Sequence, residues 1–447
     1  MSSRMNRRQF LKCGAAAGAV ILASPGMATT YAQNKKLKIA YVATGGRGDG
    51  HLGCGKGENV TAICDVDLSR TNKAKQMFPQ AKVYQDYRKL FDEMHKDIDA
   101  VFVATPDHHH AAAASRALSL GKHCYCEKPL TYSIHEARVL ADLVRKKKVA
   151  TQMGNQGHAN DGNRRVVEWI RDGAIGTVKE IHTWTNRPVW PQGYAELPPR
   201  EAVPPELDWQ CWIGPARYIE RHKNMHSFAW RGWLEFGTGT IGDMGCHTWD
   251  CVWWSMDPKH ALSCELIKAN QKNDITHPKN MILKWEFGPT ASRPGFVAYW
   301  HDGGWRPPVP DEITNDPSRK KKELCNSGNL FIGTKGKLYV EGDYGNSPRL
   351  IPEEAMKAYE QPERMEKSPG HHEEFLMAAR GEKPWDFPKS NFTYGGPLVE
   401  AMLLGIVALR AGGKVYWDPV NMKIKNNPQA NRYVQREYRK GWELVTA

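Results

Sequence analysis

Short apolar segments alternate with helical ones from Lys36 onward, and this order limits the fold more than any other feature of the chain. Four segments are rich in β-branched, aromatic or small apolar residues: "LKIAYVA" (37–43), "NVTAICDVD" (59–67), "AVFVATP" (100–106) and "KHCYCEKP" (122–129). Continuous apolar runs of this length are typical of parallel strands that are buried on both faces. The alternation therefore predicts an α/β architecture that begins with a doubly wound parallel sheet.

A glycine-rich turn, "ATGGRGDG", follows the first of these strands. Gly45 would let the backbone approach a pyrophosphate, and Gly48 would let the following helix lie close to the strand. Ala43 replaces the first glycine of the dinucleotide-binding fingerprint and is the mildest substitution at that position. Gly46 and Arg47 lie within the turn. We expect the N–H groups at the start of the next helix to face the phosphates of a bound dinucleotide.

Asp65 lies 20 residues after Gly45, at the end of the second strand. A carboxylate there accepts hydrogen bonds from the adenosine ribose hydroxyls and repels a 2′-phosphate, so it favours NAD over NADP. The structural alternative for Asp65 is an ordinary strand-end residue or helix cap. Turn and carboxylate together predict an NAD(P)-binding Rossmann domain over residues 33–155.

The pattern changes after residue 155. Residues 184–234 carry many Pro and Trp, which indicates a long system of ordered loops. The later segments "ALSCELIKAN", "NMILKWEFG", "GFVAYWHDGG" and "GNLFIGTKGKLYVEG" alternate apolar and polar residues, which predicts a mostly antiparallel sheet with one buried face. We therefore expect residues 156–447 to form a C-terminal α+β domain with a large open sheet, which binds the substrate and pairs with a second copy in a homo-oligomer.

The first 32 residues have the pattern of an export signal. "NRRQFLK" precedes the short apolar run "CGAAAGAVILAS", and "TYA" supplies a small-residue cleavage site. Paired Arg7 and Arg8, followed by Phe10 and Leu11, are typical of the twin-arginine type. The signal predicts export by the twin-arginine machinery to the bacterial periplasm; an uncleaved signal that anchors the protein is the alternative. We expect no later segment to span a bilayer and no stable membrane insertion of the mature chain.

Charge and cysteine usage argue against a nucleic-acid partner and against a redox dithiol. The net charge is +13, but four basic residues lie in the signal, which holds no Asp or Glu, and the others are scattered. The runs at 145–148 and 319–323 are short, as in solvated helix ends and loops. Nine cysteines follow the signal, and "CYC" is not the C-x-x-C redox spacing. Since a twin-arginine substrate folds before export, we expect mostly buried single thiols.

The segment "GDMGCHTWDC" places five potential metal ligands within nine positions. On an α-helix, Asp243, His247 and Asp250 share one face, and such a set could hold Zn²⁺ or Mn²⁺. Cys246 and Cys251 point elsewhere, so all five cannot converge. The alternative is an acid/base pair of Asp243 and His247, with Asp250 as a structural hydrogen-bonding residue.

The segments "ATPDHHHAAAASRALSLGKHCYCEKPL" and "GDMGCHTWD" together resemble the Gfo/Idh/MocA family, named for glucose–fructose oxidoreductase and inositol dehydrogenase. The resemblance covers nearly the whole mature chain. The closing "REYRKGWEL" and the twin-arginine start resemble the exported bacterial branch of that family. The resemblance implies an NAD(P)-dependent oxidoreductase that transfers hydride between a nicotinamide and a sugar, glycoside or polyol. This chemistry needs no metal, so we assign none.

The resemblance also implies roles for three catalytic residues. The Lys128 ammonium, at the end of a Rossmann strand, would stabilise the developing charge on the substrate oxygen. His247 would act as general acid/base, and Asp243, four residues earlier on the same helical face, would orient it or bind substrate. The order in which His247 and Lys128 take the proton stays open. A surface lysine in a loop is the structural alternative for Lys128.

Further candidates surround these three. Those placed near the cofactor, besides the turn residues, Asp65 and Lys128, are Thr105, Pro106, His110 (which we place at the opening of the following helix), Glu127 and Asn155. Those in loops that could bind sugar hydroxyls are His158, Arg187, Trp230 and Arg231, for each of which a structural role is equally well supported.

Two other functions stay open on the sequence. Some relatives are NAD-dependent glycoside hydrolases that oxidise a ring hydroxyl transiently and eliminate the leaving group, although their sequence around the catalytic His differs from "GDMGCHTWD". The second alternative hypothesis is a non-catalytic sugar-binding or scaffold protein, and the presence of Lys128 and His247 argues against it. For an exported enzyme, we expect NAD to be tightly bound, because free NAD is scarce outside the cytoplasm.

Overall fold

Six short parallel strands form the first sheet, in the order β3-β2-β1-β4-β5-β6. The structure, a computed structural model, describes residues 36–446, so the predicted signal (1–32) lies outside the described residues. The strands are β1 Lys38–Val42, β2 Asn59–Cys64, β3 Lys82–Tyr84, β4 Ala100–Val103, β5 His123–Cys126 and β6 Thr151–Met153. The strand order reverses between β1 and β4, and ligands of open α/β sheets bind at such a switch point. The predicted doubly wound parallel sheet is confirmed.

Helices connect these strands, with one difference from the expectation. The connections are α1 Asn72–Met77, α2 Tyr87–Met94, α3 Asp107–Ser119 and α4 Ile134–Lys147. Ser133 caps α4 in a capping box with Glu136, which satisfies N–H groups at the start of that helix. After β1, however, the predicted helix is an irregular 3₁₀ turn, Gly48–Gly55, whose four glycines disfavour a regular α-helix.

A nine-stranded sheet forms the second part of the protein, in the order β13-β12-β11-β7-β10-β9-β8-β14-β15. Its strands are β7 Val178–Trp184, β8 Ala261–Asn270, β9 Asn280–Phe287, β10 Phe296–His301, β11 Gly328–Gly333, β12 Lys337–Glu341, β13 Ser347–Ile351, β14 Lys414–Asp418 and β15 Lys423–Ile424. Neighbours pair antiparallel except β7 and β10, which are parallel. The predicted mostly antiparallel open sheet is confirmed.

The remaining helices lie around and between the two sheets. They are α5 Asp161–Asp172, α6 Trp209–Ile213, α7 Cys246–Thr248, α8 Asp250–Met256, α9 Asp311–Thr314, α10 Glu353–Ala358, α11 His371–Ala379 and α12 Phe392–Ala411. A π-helical turn, Ile241–Gly245, precedes α7. Helix α11 packs on the first sheet through Phe375, whose ring contacts Phe102 of β4 and Tyr125 of β5. The C-terminal chain therefore completes the core of the first sheet; the domain boundary at residue 155 stays a prediction.

Helix α12 is the buried centre of the second part of the fold. Alternate residues of β9 face it, and the indole N–H of Trp285 donates to the carbonyl of Ala401 at 2.8 Å. Contrary to the expectation that no later segment is apolar enough, α12 has the length and composition of a membrane span, but 78% of its most apolar window is buried inside the protein. A helix that is apolar on all sides is what a core position requires. The other face of β9 is partly exposed, and pairing with a second copy there stays a prediction.

Nine cysteines lie in the described residues, and all nine are free thiols. Seven are buried, while Cys54 and Cys325 are partly buried. This agrees with the expectation of mostly buried single thiols.

Buried histidines make the folded state sensitive to acid. Burial lowers the pKa of His109 and His371 to about 3 and that of His277 to about 4. In the unfolded chain, imidazoles take up protons below about pH 6.5, whereas these three stay neutral until about pH 3 to 4 in the fold. Their contribution to stability is therefore complete above pH 6.5 and is lost as the pH falls.

We expect the free energy of unfolding to fall by about 1.4 kcal/mol per buried imidazole for each pH unit below about 6.5. Urea denaturation at about pH 7.5 and about pH 5.5 measures it. The variant His277→Gln should show a shallower pH dependence than the unchanged protein. A urea midpoint that stays constant over this pH range would contradict the expectation.

Candidate active site

A crevice of about 770 Å³ lies where the carboxyl ends of β1, β2, β4 and β5 face the loop residues 226–231. It brings together ten of the residues singled out in the sequence, namely Gly45, Gly46, Arg47, Asp65, Thr105, Pro106, Glu127, Lys128, Trp230 and Arg231. The other predicted residues, Gly48, His110, Asn155, His158, Arg187, Asp243 and His247, do not line it. The hydroxyl of Thr105 is buried and has no hydrogen-bond partner among the residues that the structure describes, which leaves a polar group for a ligand of the crevice.

The glycine-rich turn has the shape that a dinucleotide site requires. Ala43 adopts a φ of +71°, a left-handed conformation that glycine would adopt more easily, and its N–H donates to the carbonyl of Cys64 at 2.8 Å. At Gly48, a Cβ atom would lie 2.1 Å from the carbonyl oxygen of Ala43. Gly48 is therefore required for the close approach of the 3₁₀ turn to β1.

We expect Gly48→Ala to lose bound dinucleotide and to destabilise the fold by about 1–3 kcal/mol, because the new methyl group overpacks against rigid backbone. Gly53→Ala is the matched control, since a Cβ there meets no atom within 4 Å and the residue lies in the same 3₁₀ turn. Thermal unfolding and the nucleotide content of the purified variants measure both effects. Equal behaviour of the two variants would contradict the role of Gly48.

Asp65 holds the glycine-rich turn. Its carboxylate accepts hydrogen bonds from the N–H groups of Thr44 (3.0 Å), Gly45 (3.1 Å) and Asp67 (3.1 Å). Burial raises its pKa above the ordinary value, and these hydrogen bonds oppose the rise. Most of the hydrogen-bond accepting capacity of the Asp65 carboxylate is thus used inside the protein. The expected hydrogen bonds from the adenosine ribose hydroxyls to Asp65 stay a prediction. Arg70, which was not singled out in the sequence, packs its side chain over Gly45 and lines the crevice.

Glu127 connects the turn to the end of β5. Its carboxylate accepts from Nε of Arg47 at 2.8 Å and lies 2.9 Å from Nε2 of His51. Nδ1 of His51 lies 2.9 Å from Nε2 of His372 on α11. Burial opposes ionisation of Glu127, but His51, Arg47 and Lys128 outweigh it and hold its pKa below the ordinary value. Glu127 therefore fixes Arg47 across the crevice.

Lys128 and Asp243 form the charged centre of the site. Nζ of Lys128 donates to the Asp243 carboxylate and to its backbone carbonyl, both at 2.8 Å, and Nε of Arg231 donates to the same carboxylate at 3.0 Å. Burial alone would raise the pKa of Asp243, but Lys128 and Arg231 lower it to about 2. The guanidinium of Arg231 also lies 4.4 Å from the ring centre of Trp230. The peptide bond between Lys128 and Pro129 is cis.

His247 lies beside this centre, but Asp243 does not orient it as expected. Within residues 36–446, Nδ1 of His247 is buried without a hydrogen-bond partner. The π-helical turn at Ile241–Gly245 removes the α-helical i,i+4 geometry that the prediction assumed, and two cations hold the Asp243 carboxylate instead. Burial and the charge of Lys128 lower the pKa of His247 to about 3, so its imidazole is neutral at ordinary pH.

Tyr344, in the loop between β12 and β13, covers His247 and was not singled out in the sequence. The two ring centres lie 4.8 Å apart in an edge-on arrangement. The same loop is held by an ion pair between Asp343 and Arg187 at 3.8 Å, so the predicted substrate residue Arg187 contacts this loop and not the crevice. No sequence motif marks this loop.

His158 and Asp250 form a buried pair behind α7. Nδ1 of His158 lies 2.9 Å from the Asp250 carboxylate, which also accepts from the hydroxyl of Tyr394 at 2.7 Å. The His158 ring stacks on Trp254 at 4.2 Å. Asp250 is therefore the structural hydrogen-bonding residue of the helix, and His158 is its partner. Within residues 36–446, no group of three His, Cys, Asp or Glu side chains could hold a metal ion.

Two other predicted cofactor residues are buried supports. His110 lies in the first turn of α3, which begins three residues earlier than expected, at Asp107; its ring nitrogens lie 2.6 Å and 2.8 Å from the carbonyl oxygens of Pro129 and Thr105. Asn155 accepts from the hydroxyl of Ser390 at 2.5 Å, while its buried Nδ2 has no hydrogen-bond partner between residues 36 and 446. His110 thus joins the two strand ends that carry Thr105 and Lys128.

The long loop between β7 and the π-helical turn closes the crevice from the side of β2. Asp67 pairs with Leu207 in an antiparallel bridge, and the N–H of Leu68 donates to the carbonyl of Glu206 at 3.1 Å. Further along this loop, Phe228 and Trp230 present aromatic rings to the crevice. The site thus has a phosphate-compatible turn, an ammonium at a strand end, a neutral imidazole nearby and aromatic walls, which define the class of nucleotide-dependent oxidoreductases.

Comparison with known families agrees with this class. Residues 30–155 match the sequence model of the oxidoreductase family with an NAD-binding Rossmann fold, and residues 169–288 match that of its C-terminal alpha/beta domain. The chain belongs to the Gfo/Idh/MocA family of oxidoreductases. Residues 4–24 match the signal sequence of the twin-arginine translocation pathway, which directs export to the periplasm in bacteria.

Similar proteins include several sugar and polyol enzymes. An inositol 2-dehydrogenase/D-chiro-inositol 3-dehydrogenase of Lacticaseibacillus casei is 29% identical over 40% of this chain and 53% of its own length. A glycosyl hydrolase family 109 protein of Shewanella putrefaciens is 28% identical over 38% of this chain and 44% of its own. The chain thus spans about half the length of these relatives. The WlbA dehydrogenase of Bordetella pertussis, solved with NADH and UDP-GlcNAcA, shares the fold at a TM-score of 0.60 and 15% identity, over 86% of this chain and 99% of the other.

Proposed function

We propose that the protein is an exported NAD-dependent dehydrogenase or oxidoreductase of a sugar, glycoside or polyol. The observation that carries the proposal is the Lys128–Asp243 pair at 2.8 Å, placed at the end of β5, where the crevice of a Rossmann sheet holds its ligand. When bound, NAD would accept or supply the hydride of the reaction. The residues that would hold it are those of the glycine-rich turn, Thr105 and the Arg47–Glu127 pair.

The chain's own residues would handle the charge and the proton. Lys128 would donate a hydrogen bond to the reacting oxygen of the substrate and stabilise its alkoxide character. Asp243 keeps Lys128 aimed, since it holds Nζ through both its carboxylate and its carbonyl. The imidazole of His247 is neutral at ordinary pH, which is the form that a proton acceptor requires. Trp230 and Phe228 would pack against the apolar face of a sugar ring.

We further propose that NAD, not NADP, is bound and that it is bound tightly. The buried carboxylate of Asp65 at the ribose end of the crevice disfavours a 2′-phosphate. The long loop is joined to Asp67, which lines the crevice, by the antiparallel bridge at Leu207, and we infer that this contact slows release of the nucleotide. Tight binding suits an enzyme that folds around its cofactor before export and then cycles it between two substrates.

The test is to purify the mature protein without added nucleotide, denature it and identify any released NAD or NADP by mass spectrometry. Nicotinamide absorbance is then followed while a panel of sugars, polyols and glycosides is added. We expect about one NAD per chain and an absorbance change with at least one compound. A protein that holds no dinucleotide and gives no absorbance change, even with NAD added, would contradict the proposal.

A redox-assisted glycoside hydrolase is the second candidate, favoured by the similarity to the glycosyl hydrolase family 109 protein. The same Lys128 and His247 would serve the transient oxidation. Chromatographic analysis of the products separates the two candidates. Released aglycone without net change in nicotinamide absorbance would indicate hydrolysis, and an oxidised sugar would indicate dehydrogenation.

A further inference from the structure

A second cavity, of about 850 Å³, shares no lining residue with the crevice and has no part in the proposed oxidation. It is bounded by the start of α4, the loop residues 234–238, the end of α12 and the C-terminal segment 431–437. Three arginines from two of these elements line it: Arg410 on α12, and Arg432 and Arg436 on the C-terminal segment. We refer to it as the arginine cavity.

The three guanidinium groups stack on two tyrosines of the arginine cavity. Arg410 and Arg432 lie 4.4 Å and 4.7 Å from the ring centre of Tyr433, and Arg436 lies 4.4 Å from that of Tyr132. Stacking fixes the planes of the guanidinium groups, so their N–H groups are ordered before any ligand arrives. Two cations that share one tyrosine ring also repel each other.

The protein does not neutralise these charges. Within residues 36–446, no carboxylate lies within 4.0 Å of Arg410, Arg432 or Arg436, although acidic side chains, Glu235 among them, also line the cavity. Glu235 pairs with Arg217 at 3.1 Å instead. Nε and Nη1 of Arg436 are buried and find no hydrogen-bond partner in the described part of the chain, which is costly for a charged group. The helix dipole of α12 stabilises a cation at its carboxyl end, which explains Arg410 but not Arg432 or Arg436.

We propose that the arginine cavity binds a small molecule through an oxyanion, either a phosphate or a carboxylate group. Planar guanidinium groups bind both by paired N–H···O hydrogen bonds, and a bound anion would relieve the repulsion among the three cations. A volume of about 850 Å³ accommodates an organic anion, whose apolar part would contact Leu403 and Ile406 of α12.

Binding is tested by titration calorimetry on the whole mature protein, with excess NAD present so that the nucleotide crevice is filled. The probes are inorganic phosphate and citrate at constant ionic strength, and their comparison separates the two sources of the oxyanion. We expect saturable binding of at least one probe, weakened about tenfold or more in Arg436→Gln and in Arg410→Gln. Arg432→Gln, an exposed position, gives the same test without a risk to folding.

Arg145→Gln is the matched control, since Arg145 is an exposed arginine far from the cavity that pairs with Asp142 at 2.7 Å. It should leave the dissociation constant unchanged. The proposal is overturned if neither probe binds saturably, or if the arginine variants of the cavity bind as tightly as the control. Because dinucleotide content and absorbance are measured separately, either result is independent of the proposed oxidoreductase function.

Discussion

Lys128→Met should lower kcat by about 10²–10⁴-fold while NAD stays bound. Among the residues of 36–446 that line the crevice, Lys128 is the only lysine, so the variant removes the one ammonium that can stabilise charge on the reacting oxygen. The same change leaves the Asp243 carboxylate with Arg231 as its one remaining cation partner. Losing one member of a fully buried ion pair costs about 3–5 kcal/mol. Because Arg231 stays on the Asp243 carboxylate and the pair is 14% exposed, we expect a smaller loss of stability, seen as a lower unfolding temperature. Steady-state kinetics and thermal unfolding measure the two effects.

A double variant separates catalysis from stability. In Lys128→Met/Asp243→Asn, the carboxylate that has lost Lys128 is replaced by a neutral amide, which can still accept a hydrogen bond from Arg231, so we expect part of the lost stability to return while kcat stays low. Lys128→Arg keeps the positive charge but places a larger guanidinium where the ammonium was, so it should recover little activity. Recovery of turnover in the double variant would mean that the single variant acts only through misfolding, and the assignment of Lys128 would be wrong.

His247→Gln should lower kcat/KM by about 10²-fold or more, because an amide cannot accept a proton as an imidazole does. The pKa of His247 is about 3, so its neutral form prevails across the neutral range. We therefore expect that His247 causes no inflection near pH 6.5 in the pH profile of kcat/KM. An inflection caused by His247 would be present in the unchanged enzyme and absent from His247→Gln. Such an inflection, measured from about pH 5 to about pH 9, would contradict the burial of His247 in the working enzyme.

Thr248→Val is the control for this prediction. Its hydroxyl only donates to the carbonyl of Met244 one turn earlier, at 3.1 Å, and valine has nearly the same shape. The control variant should keep the kcat/KM of the unchanged protein. If both variants lose activity equally, the effect belongs to the packing of α7 and not to the imidazole of His247.

The sequence predicts the first sheet well because each buried parallel strand is a local apolar run that ends at a recognisable turn. Gly45, Gly48 and Lys128 could be placed for the same reason, since each follows directly after a strand. The contribution of α11 to the core of that sheet could not be foreseen. Phe375 meets Phe102 across more than 270 positions of the chain, and no local pattern records such a contact.

The active-site partners were harder to predict, because they depend on geometry that composition does not encode. The spacing of Asp243 and His247 indicates a contact only if the helix is regular, and the π-helical turn breaks that condition. Arg231 was proposed for substrate, which stays a prediction; it lines the crevice, and its sharing of the Asp243 carboxylate with Lys128 was not foreseen. Tyr344 comes from a hairpin loop whose sequence carries no motif, so only the fold brings it to His247.

The burial of the free cysteines affects how the protein withstands oxidation in the periplasm. Oxidants react with thiolates, and burial raises the pKa of the Cys54 thiol to about 11 and that of Cys64, Cys124 and Cys246 further above the ordinary value. Hardly any thiolate is present at these four cysteines at neutral pH. The protein can thus fold in the reducing cytoplasm and be exported in its folded state. Its buried thiols then resist disulfide formation in the oxidising periplasm.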